Sequence, residues 1–185
     1  MSYRLPTSLV VNGVDRPIRY QYTAILDIIS AINDRELKDN EKVYVFLYIL
    51  YEDFEDMPEE DYEEAFRVGQ EFMDNGVESE KKDNVKRVDF DQDARLLIPA
   101  INRVAGREIR LDPDIHWWTF LGWFMEIGDC TYSQVLNIRS KKAAGKPLEK
   151  WEQEFYSQNK KIVDIQVKLT EEEKEAERRL NELLS

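Results

Sequence analysis

Histidine and cysteine, the side chains that most often serve as general base, nucleophile or zinc ligand, are scarce in this chain. His116 is the only imidazole and Cys130 the only thiol. Any Ser-His-Asp or Cys-His arrangement would have to run through His116. That residue precedes Trp117-Trp118 in an apolar stretch, which suits a structural histidine better than a general base. Structural zinc takes about four Cys or His ligands, and one of each does not make that set. Carboxylates are abundant, most densely in Glu52-Asp53-Phe54-Glu55-Asp56-Met57-Pro58-Glu59-Glu60-Asp61-Tyr62-Glu63-Glu64. Acid–base chemistry needs two carboxyls held in unlike environments, whereas a run this dense reads as a solvated helix end. Acids just after Pro58 also complement the positive end of a helix dipole. The run lacks the ordered ligands and glycine of a calcium loop, and a strip of this kind can dock a basic partner. Gly106, Gly122, Gly128 and Gly145 form neither a dinucleotide nor a Walker pattern. The sequence therefore offers no catalytic, cofactor-binding or metal-binding residues, and a non-enzymatic protein without cofactors is expected.

Two segments read instead as binding elements. His116-Trp117-Trp118-Thr119-Phe120-Leu121-Gly122-Trp123-Phe124-Met125 would be apolar on nearly all sides as a helix, so it should lie centrally or be covered by a partner. Trp is enriched among residues that dominate interface energies, and Gly122 would admit another backbone. Arg139-Ser140-Lys141-Lys142-Ala143-Ala144-Gly145-Lys146 is a basic island on an acidic chain. Cations favour helix C-termini, so a solvated helix end is one reading. The other pairs the island with the 52–64 strip of a neighbouring copy, a head-to-tail contact that builds rings or spirals.

The elements that must position these residues follow from composition and pattern. The chain has 185 residues, 38 acidic and 26 basic, for a net charge of −12. Nucleic acids attract basic surfaces through counterion release, so no nucleic-acid partner is expected. The hydrophobic fraction of 42%, with four Trp, nine Tyr and eight Phe, supports a largely aromatic core. A single cysteine excludes a disulfide framework within the chain and suits a reducing compartment. The most apolar stretch, 115–127, is too short to span a bilayer, and the first residues lack a signal-peptide core. A cytoplasmic protein with no membrane partner is expected.

Leu9 to Ile18 reads as a hairpin, because Asn12-Gly13 tolerates the positive φ of a type I′ turn and β-branched residues flank it. Pro17 confines the second strand to an edge. An isolated hairpin is marginal, so it must pack on a helix or pair with further backbone. Thr23 is placed to cap a helix to about Asn33, with Ile25, Ile28, Ile29 and Ile32 on one face. Asp39 or Asn40 caps a second, through Val43, Phe46, Leu47, Leu50 and Tyr51. A third starts at Pro58 and stops at Asn75-Gly76. Residues 77–88 are polar and aperiodic, a linker between a 1–76 unit and an 89–185 helical region, unless all form one compact domain. Asp89 caps a helix ended near Gly106, with Pro99 predicting a kink or break. Thr131 or Ser133 opens a short helix through Val135, Leu136 and Ile138. Leu148, Trp151, Phe155, Ile162, Ile165 and Leu169 keep a helical rhythm interrupted at Gln158. Thr170 with Glu173 is a capping box for a last helix, in which Ala176, Leu180, Leu183 and Leu184 could face a partner. The fold class is mainly α: a helical domain with a small N-terminal β-hairpin and a long C-terminal helical segment.

Three stretches then become specific together. They are His116-Trp117-Trp118 with Phe120 and Phe124, Ile138-Arg139-Ser140-Lys141-Lys142-Ala143, and Gly145-Lys146-Pro147-Leu148-Glu149-Lys150-Trp151-Glu152-Gln153-Glu154-Phe155-Tyr156. With the helix start Asp89-Phe90-Asp91-Gln92-Asp93-Ala94, this pattern resembles the bacteriophage gene-product-fifteen family, of tail modules in long-tailed phages and prophages of Gram-positive bacteria. It departs from that pattern at Ile98-Pro99-Ala100-Ile101-Asn102. The resemblance implies a tail assembly chaperone that binds the tape measure protein, the tail tube protein or both. It would act in the bacterial host cytoplasm and be absent from the mature virion. The alternative is a structural tail or connector component retained in the particle. Self-association into an oligomer or spiral is a further expectation. The candidate interaction residues are Trp117, Trp118, Trp123 and Phe124, then Arg139, Lys141, Lys142 and Lys146, then Trp151 and Phe155.

Overall fold

A computed structural model describes residues 4–75, 86–166 and 170–184. The chain opens with antiparallel strands β1 (Ser8–Val11) and β2 (Val14–Pro17), in register Leu9 with Arg16 and Val11 with Val14. Asn12 and Gly13 form the turn at φ of 47° and 85°, as the Asn-Gly pair predicts. The hairpin gains its missing support from the helices. Ile18 bridges Tyr51, Glu52 N–H donates to the Pro17 carbonyl at 3.1 Å, and the buried Val11 joins the main core.

Helices α1 (Tyr22–Ile32), α2 (Asp39–Leu50) and α3 (Tyr62–Met73) follow, with 3₁₀ turns at Phe54–Asp56 and Glu59–Asp61 before α3. The first helix begins ahead of its expected cap: Thr23 lies inside it. The Tyr22 N–H is satisfied by the Ile115 carbonyl at 2.9 Å, so a distant strand of backbone replaces a side-chain cap. Ile25 and Ile28 are buried, while Ile32 at the C-terminal end of the helix is exposed. At α2 the Glu41 carboxylate accepts from the Lys38 N–H at 2.7 Å, which occupies one of the unpaired first-turn donors.

Gly69 lets α3 press directly on α2. A Cβ there would stand 2.7 Å from both Leu50 Cδ2 and Phe46 Cε1. Both neighbours are fully buried, so neither can swing away freely. Gly69→Ala is therefore expected to destabilise the protein by about 1–3 kcal/mol through overpacking, despite alanine's better helix propensity. Urea unfolding measures this, and a stability equal to or above wild type would show that the helices can separate at little cost.

Beyond residue 85, Lys86–Asp89 is non-helical and leads into α4 (Phe90–Ala105). The expected linker falls mostly at 77–85, and Gly76 beside it, outside the described residues. Asp89 caps α4 as anticipated, accepting from Gln92 N–H at 2.9 Å, and Gly106 ends it at φ of 69°. The break expected at Pro99 does not occur: α4 is one helix across it. Leu97, Ala100 and Ile101 are buried on both sides of the proline, and their packing offsets the hydrogen bond that proline cannot donate.

A 3₁₀ turn at Ile109–Leu111 precedes α5 (Trp117–Met125), α6 (Thr131–Ala143), α7 (Lys150–Val163) and α8 (Glu171–Leu184). The cap of α6 is Cys130, one residue before Thr131 and three before Ser133, the expected candidates. Its N–H donates to Ser133 Oγ at 3.0 Å. The helix reaches Ala143 and is longer than expected. The long C-terminal helical segment is in two helices, α7 and α8, in keeping with the interrupted rhythm and the second helix start. α7 carries a non-helical Asn159 (φ −121°, ψ 24°), and residues 164–166 leave the helix. Leu169 lies outside the described residues. The capping box of α8 is present: Thr170 N–H donates to Glu173 Oε2 at 2.8 Å, and Glu173 N–H to Thr170 Oγ1 at 3.2 Å.

One core runs across the two flanks of residues 76–85. Ile25, Phe46 and Phe72 on one side pack in the same cluster as Leu97, Trp117, Phe120 and Tyr132 on the other. A smaller cluster of Val135, Ile138 and Val163, with Phe155 and Tyr156 against it, joins α6 to α7.

Candidate protein-interaction surfaces

The aromatic segment is a junction before it is a surface. His116 caps α5: its Nδ1 accepts from Trp118 N–H at 3.0 Å, while Nε2 lies 2.8 Å from the Pro6 carbonyl. These contacts fix a neutral ring with the proton on Nε2. Burial lowers its pKa below the ordinary 6.5, with the Pro6 contact opposing that shift. Trp117 and Trp118 aim their indole N–H groups at the last carbonyls of α3, Met73 and Phe72 respectively, each at 2.8 Å. The Trp117 bond satisfies an acceptor that a helix C-terminus leaves unpaired, while the Phe72 carbonyl also accepts from Asn75 N–H at 3.1 Å. Trp117 is buried and stacks on Phe120 at 5.5 Å. Trp118 is half-buried against Phe72. Trp123 is half-buried with the Arg107 guanidinium 5.9 Å from its ring centre. Phe124 is half-buried beside Tyr132 and Phe90. The outer side of α5 is left to Gly122, beside which a Cβ would meet nothing within 4 Å, and to Met125, 78% exposed.

The His116 contacts make an acid limb of stability. A proton on Nδ1 removes the acceptor for Trp118 N–H. Because the folded pKa is depressed, stability is fully present above about pH 6.5 and is lost as pH falls through the folded value. Urea midpoints should decline from about pH 7 to 5, and the decline should shrink in His116→Asn, which keeps a capping acceptor but does not titrate. A wild-type midpoint constant over that window would sink this reading.

The basic island is largely used within the chain. Arg139 is buried and donates to both Asp93 carboxylate oxygens at 2.7 and 2.8 Å, and to the carbonyls of Val163, Ile162 and Arg87 at 2.6–2.9 Å. Asp93 also accepts from Asp89 N–H and Tyr132 O–H. Lys141 Nζ donates to the buried Glu152 at 2.6 Å, and Lys142 Nζ reaches Asp164 and lies 3.8 Å over the Tyr156 ring. The hydrogen bond from Lys141, then the Glu149 N–H, hold the Glu152 carboxyl below its usual range. Lys146 remains exposed. The solvated helix end pictured from sequence is thus corrected at Arg139: a buried guanidinium needs its carboxylate within the fold. The proposed head-to-tail pairing loses three of its four cations to intrachain partners.

The acidic strip is divided in the same way. Asp53 and Asp61 turn inward to the buried Arg16 at 2.9 and 3.2 Å. Glu52, Glu55, Asp56, Glu59, Glu60 and Glu63 stay exposed. Beside them lies a feature that apolar periodicity missed: Tyr44 and Tyr48, one turn apart on α2 and both about half exposed. The available signal was two aromatics at i, i+4 off the Phe46-Leu47-Leu50 face, just before the acidic run. On α7, Trp151 is 46% exposed, whereas Phe155 is half-buried against the smaller cluster.

A cleft of about 280 Å³ lies between the end of α1 and the start of α4, lined by Leu26, Ile29, Arg35, Phe90, Ile165 and Thr170 among others; His116 is not part of it. Among the described residues no group of three or more His, Cys, Asp or Glu is placed to hold a metal, and no helix is long and apolar enough to cross a membrane.

A family model described as bacteriophage Gp15 protein matches residues 1–165. No curated protein and no solved structure matches the chain.

Proposed function

Because the chain belongs to the bacteriophage Gp15 protein family, and so to the structural or assembly proteins of phages, we propose that it is a tail assembly chaperone. On this reading it binds the tape measure protein, the tail tube protein or both, and leaves before the particle is complete. The observation that carries the reading is the placement of apolar side chains on a strongly anionic chain. Tyr44 and Tyr48 on α2, Met125 on α5 and Trp151 on α7 are each about half exposed or more, while the net charge is −12. A holdase needs apolar contact area to engage a client and charge to keep the complex from aggregating. Contacts distributed over separate helices and bordered by polar groups favour moderate affinity, which permits release. The work assigned to the protein is binding alone, in the host cytoplasm, without cofactor, nucleic acid or membrane.

Co-expression with the tape measure protein of the same phage tests the proposal. The client should become soluble and co-purify, and mass spectrometry of mature tails should lack this chain. A client that stays in inclusion bodies with no complex sinks the chaperone reading. Stoichiometric recovery from mature tails would instead assign the chain to the retained structural or connector components.

A further inference from the structure

Tyr44 and Tyr48 form a stacked pair on the outer face of α2, ring centres 6.4 Å apart and planes 9° from parallel. They are 54% and 53% exposed. The buried Phe54 sets its ring edge-on to both, at 5.1 and 6.0 Å. Tyr62 stacks on the same ring at 5.3 Å. The tyrosines therefore rest on a fixed aromatic base and are ordered before any partner arrives.

That base belongs to the acidic run. Glu52, Glu55 and Asp56 neighbour Phe54 in sequence and are exposed. Two cations close by, Arg16 and Arg19, have other duties. Arg16 is buried between Asp53 and Asp61. Arg19 directs one nitrogen to the carbonyls of Tyr48, Ile49 and Tyr51 at the end of α2. Tyrosine ring faces carry negative charge density that attracts Lys and Arg, and the carboxylates add to it. Anionic lipid or nucleic acid is repelled by the same field.

We propose that the exposed face of α2, with the 3₁₀ turn that follows it, docks an Arg- or Lys-bearing segment of a client polypeptide. The tyrosines take the aliphatic stems and the cationic heads, and the carboxylates fix the sign of the charge accepted. A second copy of this chain fits less well, because Arg139, Lys141 and Lys142 of its basic island are already paired within their own chain and only Lys146 of that island is left exposed. The inference deepens the chaperone reading by naming the chemistry of the client segment, and it rests on that reading only for the client's identity.

The test uses the full chain and a fluorescein-labelled amphipathic Lys/Leu peptide of about four helical turns, with a Glu/Leu peptide of equal length as counterpart. Anisotropy at about 0.15 M salt, where long-range attraction is screened, should show binding of the Lys/Leu peptide alone. Y44L/Y48L should weaken it about tenfold, because the side chains stay apolar but lose the ring faces, whereas Y44F/Y48F should stay within about threefold. E55Q/D56N should weaken it as well, and the remote pair E126Q/E154Q should leave it unchanged. Circular dichroism and thermal melts confirm that each variant folds. Unaltered affinity in Y44L/Y48L, equal losses in both charge variants, or equal binding of the Glu/Leu peptide overturns the proposal. So does a wild-type dimer, seen by light scattering, that Y44L/Y48L dissociates while the Lys/Leu peptide fails to bind; the occupant is then a second copy. Co-expression separates the two readings. If wild type and Y44L/Y48L hold the tape measure protein soluble alike, the site is wrong and the chaperone stands. If neither does while the peptide still binds, the site stands and the chaperone reading falls.

Discussion

Replacing Arg139 by Ala is expected to lower stability by about 3–5 kcal/mol, because it leaves the buried Asp93 carboxylate without its cation. Asp93 and Arg139 are nearly inaccessible and meet through two hydrogen bonds. The remaining donors of the guanidinium reach the carbonyls of Arg87, Ile162 and Val163. One side chain thus joins α6, the approach to α4 and the end of α7. Arg139→Lys should recover little, since a single ammonium cannot satisfy a planar array of acceptors. For a chain of this size the loss corresponds to a fall in Tm of about 6–20 °C. The paired replacement Arg139→Met with Asp93→Leu should lie well above either single change, because two apolar groups leave no charge stranded. Urea unfolding of the four proteins closes the cycle. A loss below about 1 kcal/mol in Arg139→Ala would mean that water reaches Asp93 and that the network is peripheral.

The second large effect is expected at Trp117. Trp117→Ala removes a buried indole from between Phe120 and Phe90, and such truncations cost about 3–5 kcal/mol. It also frees the Met73 carbonyl at the end of α3. Trp117→Phe keeps an aromatic ring but loses the donor and the pyrrole half of the indole, so a smaller loss of about 1–3 kcal/mol is expected. Trp118→Ala should fall below Trp117→Ala, since Trp118 is only half-buried. Equal losses at the two positions would show that capping of α3, common to both, outweighs burial, which differs. Either way the Trp-Trp pair contributes mainly to the joint between α3 and α5. Interface experiments on this segment are better aimed at Trp123 and Met125, which retain accessible surface.

What the sequence determined by itself was local. Asn12-Gly13 set a tight turn, Asp89 and Thr170 set helix starts, and Gly106 set a helix end, because each acts within about four residues of itself. Helical spacing likewise marked Ile25, Ile28, Phe46, Leu47 and Leu50 as core. Residues of the aromatic, basic and Trp151 segments were enough to place the chain in its family. Tertiary structure decided the rest. The Arg139–Asp93 pair spans 46 positions and the Trp117–Met73 bond spans 44, and no periodic pattern encodes such partners. The helix through Pro99 and the start of α1 ahead of Thr23 were likewise settled by packing and by backbone arriving from elsewhere. The same holds for surfaces. A cationic run and an acidic run look alike in sequence whether their charges meet solvent or each other. Only folding showed that Arg139 and Arg16 turn inward while Tyr44 and Tyr48 face out. Burying a charge requires a partner at bonding distance, and that distance is a property of the assembled chain.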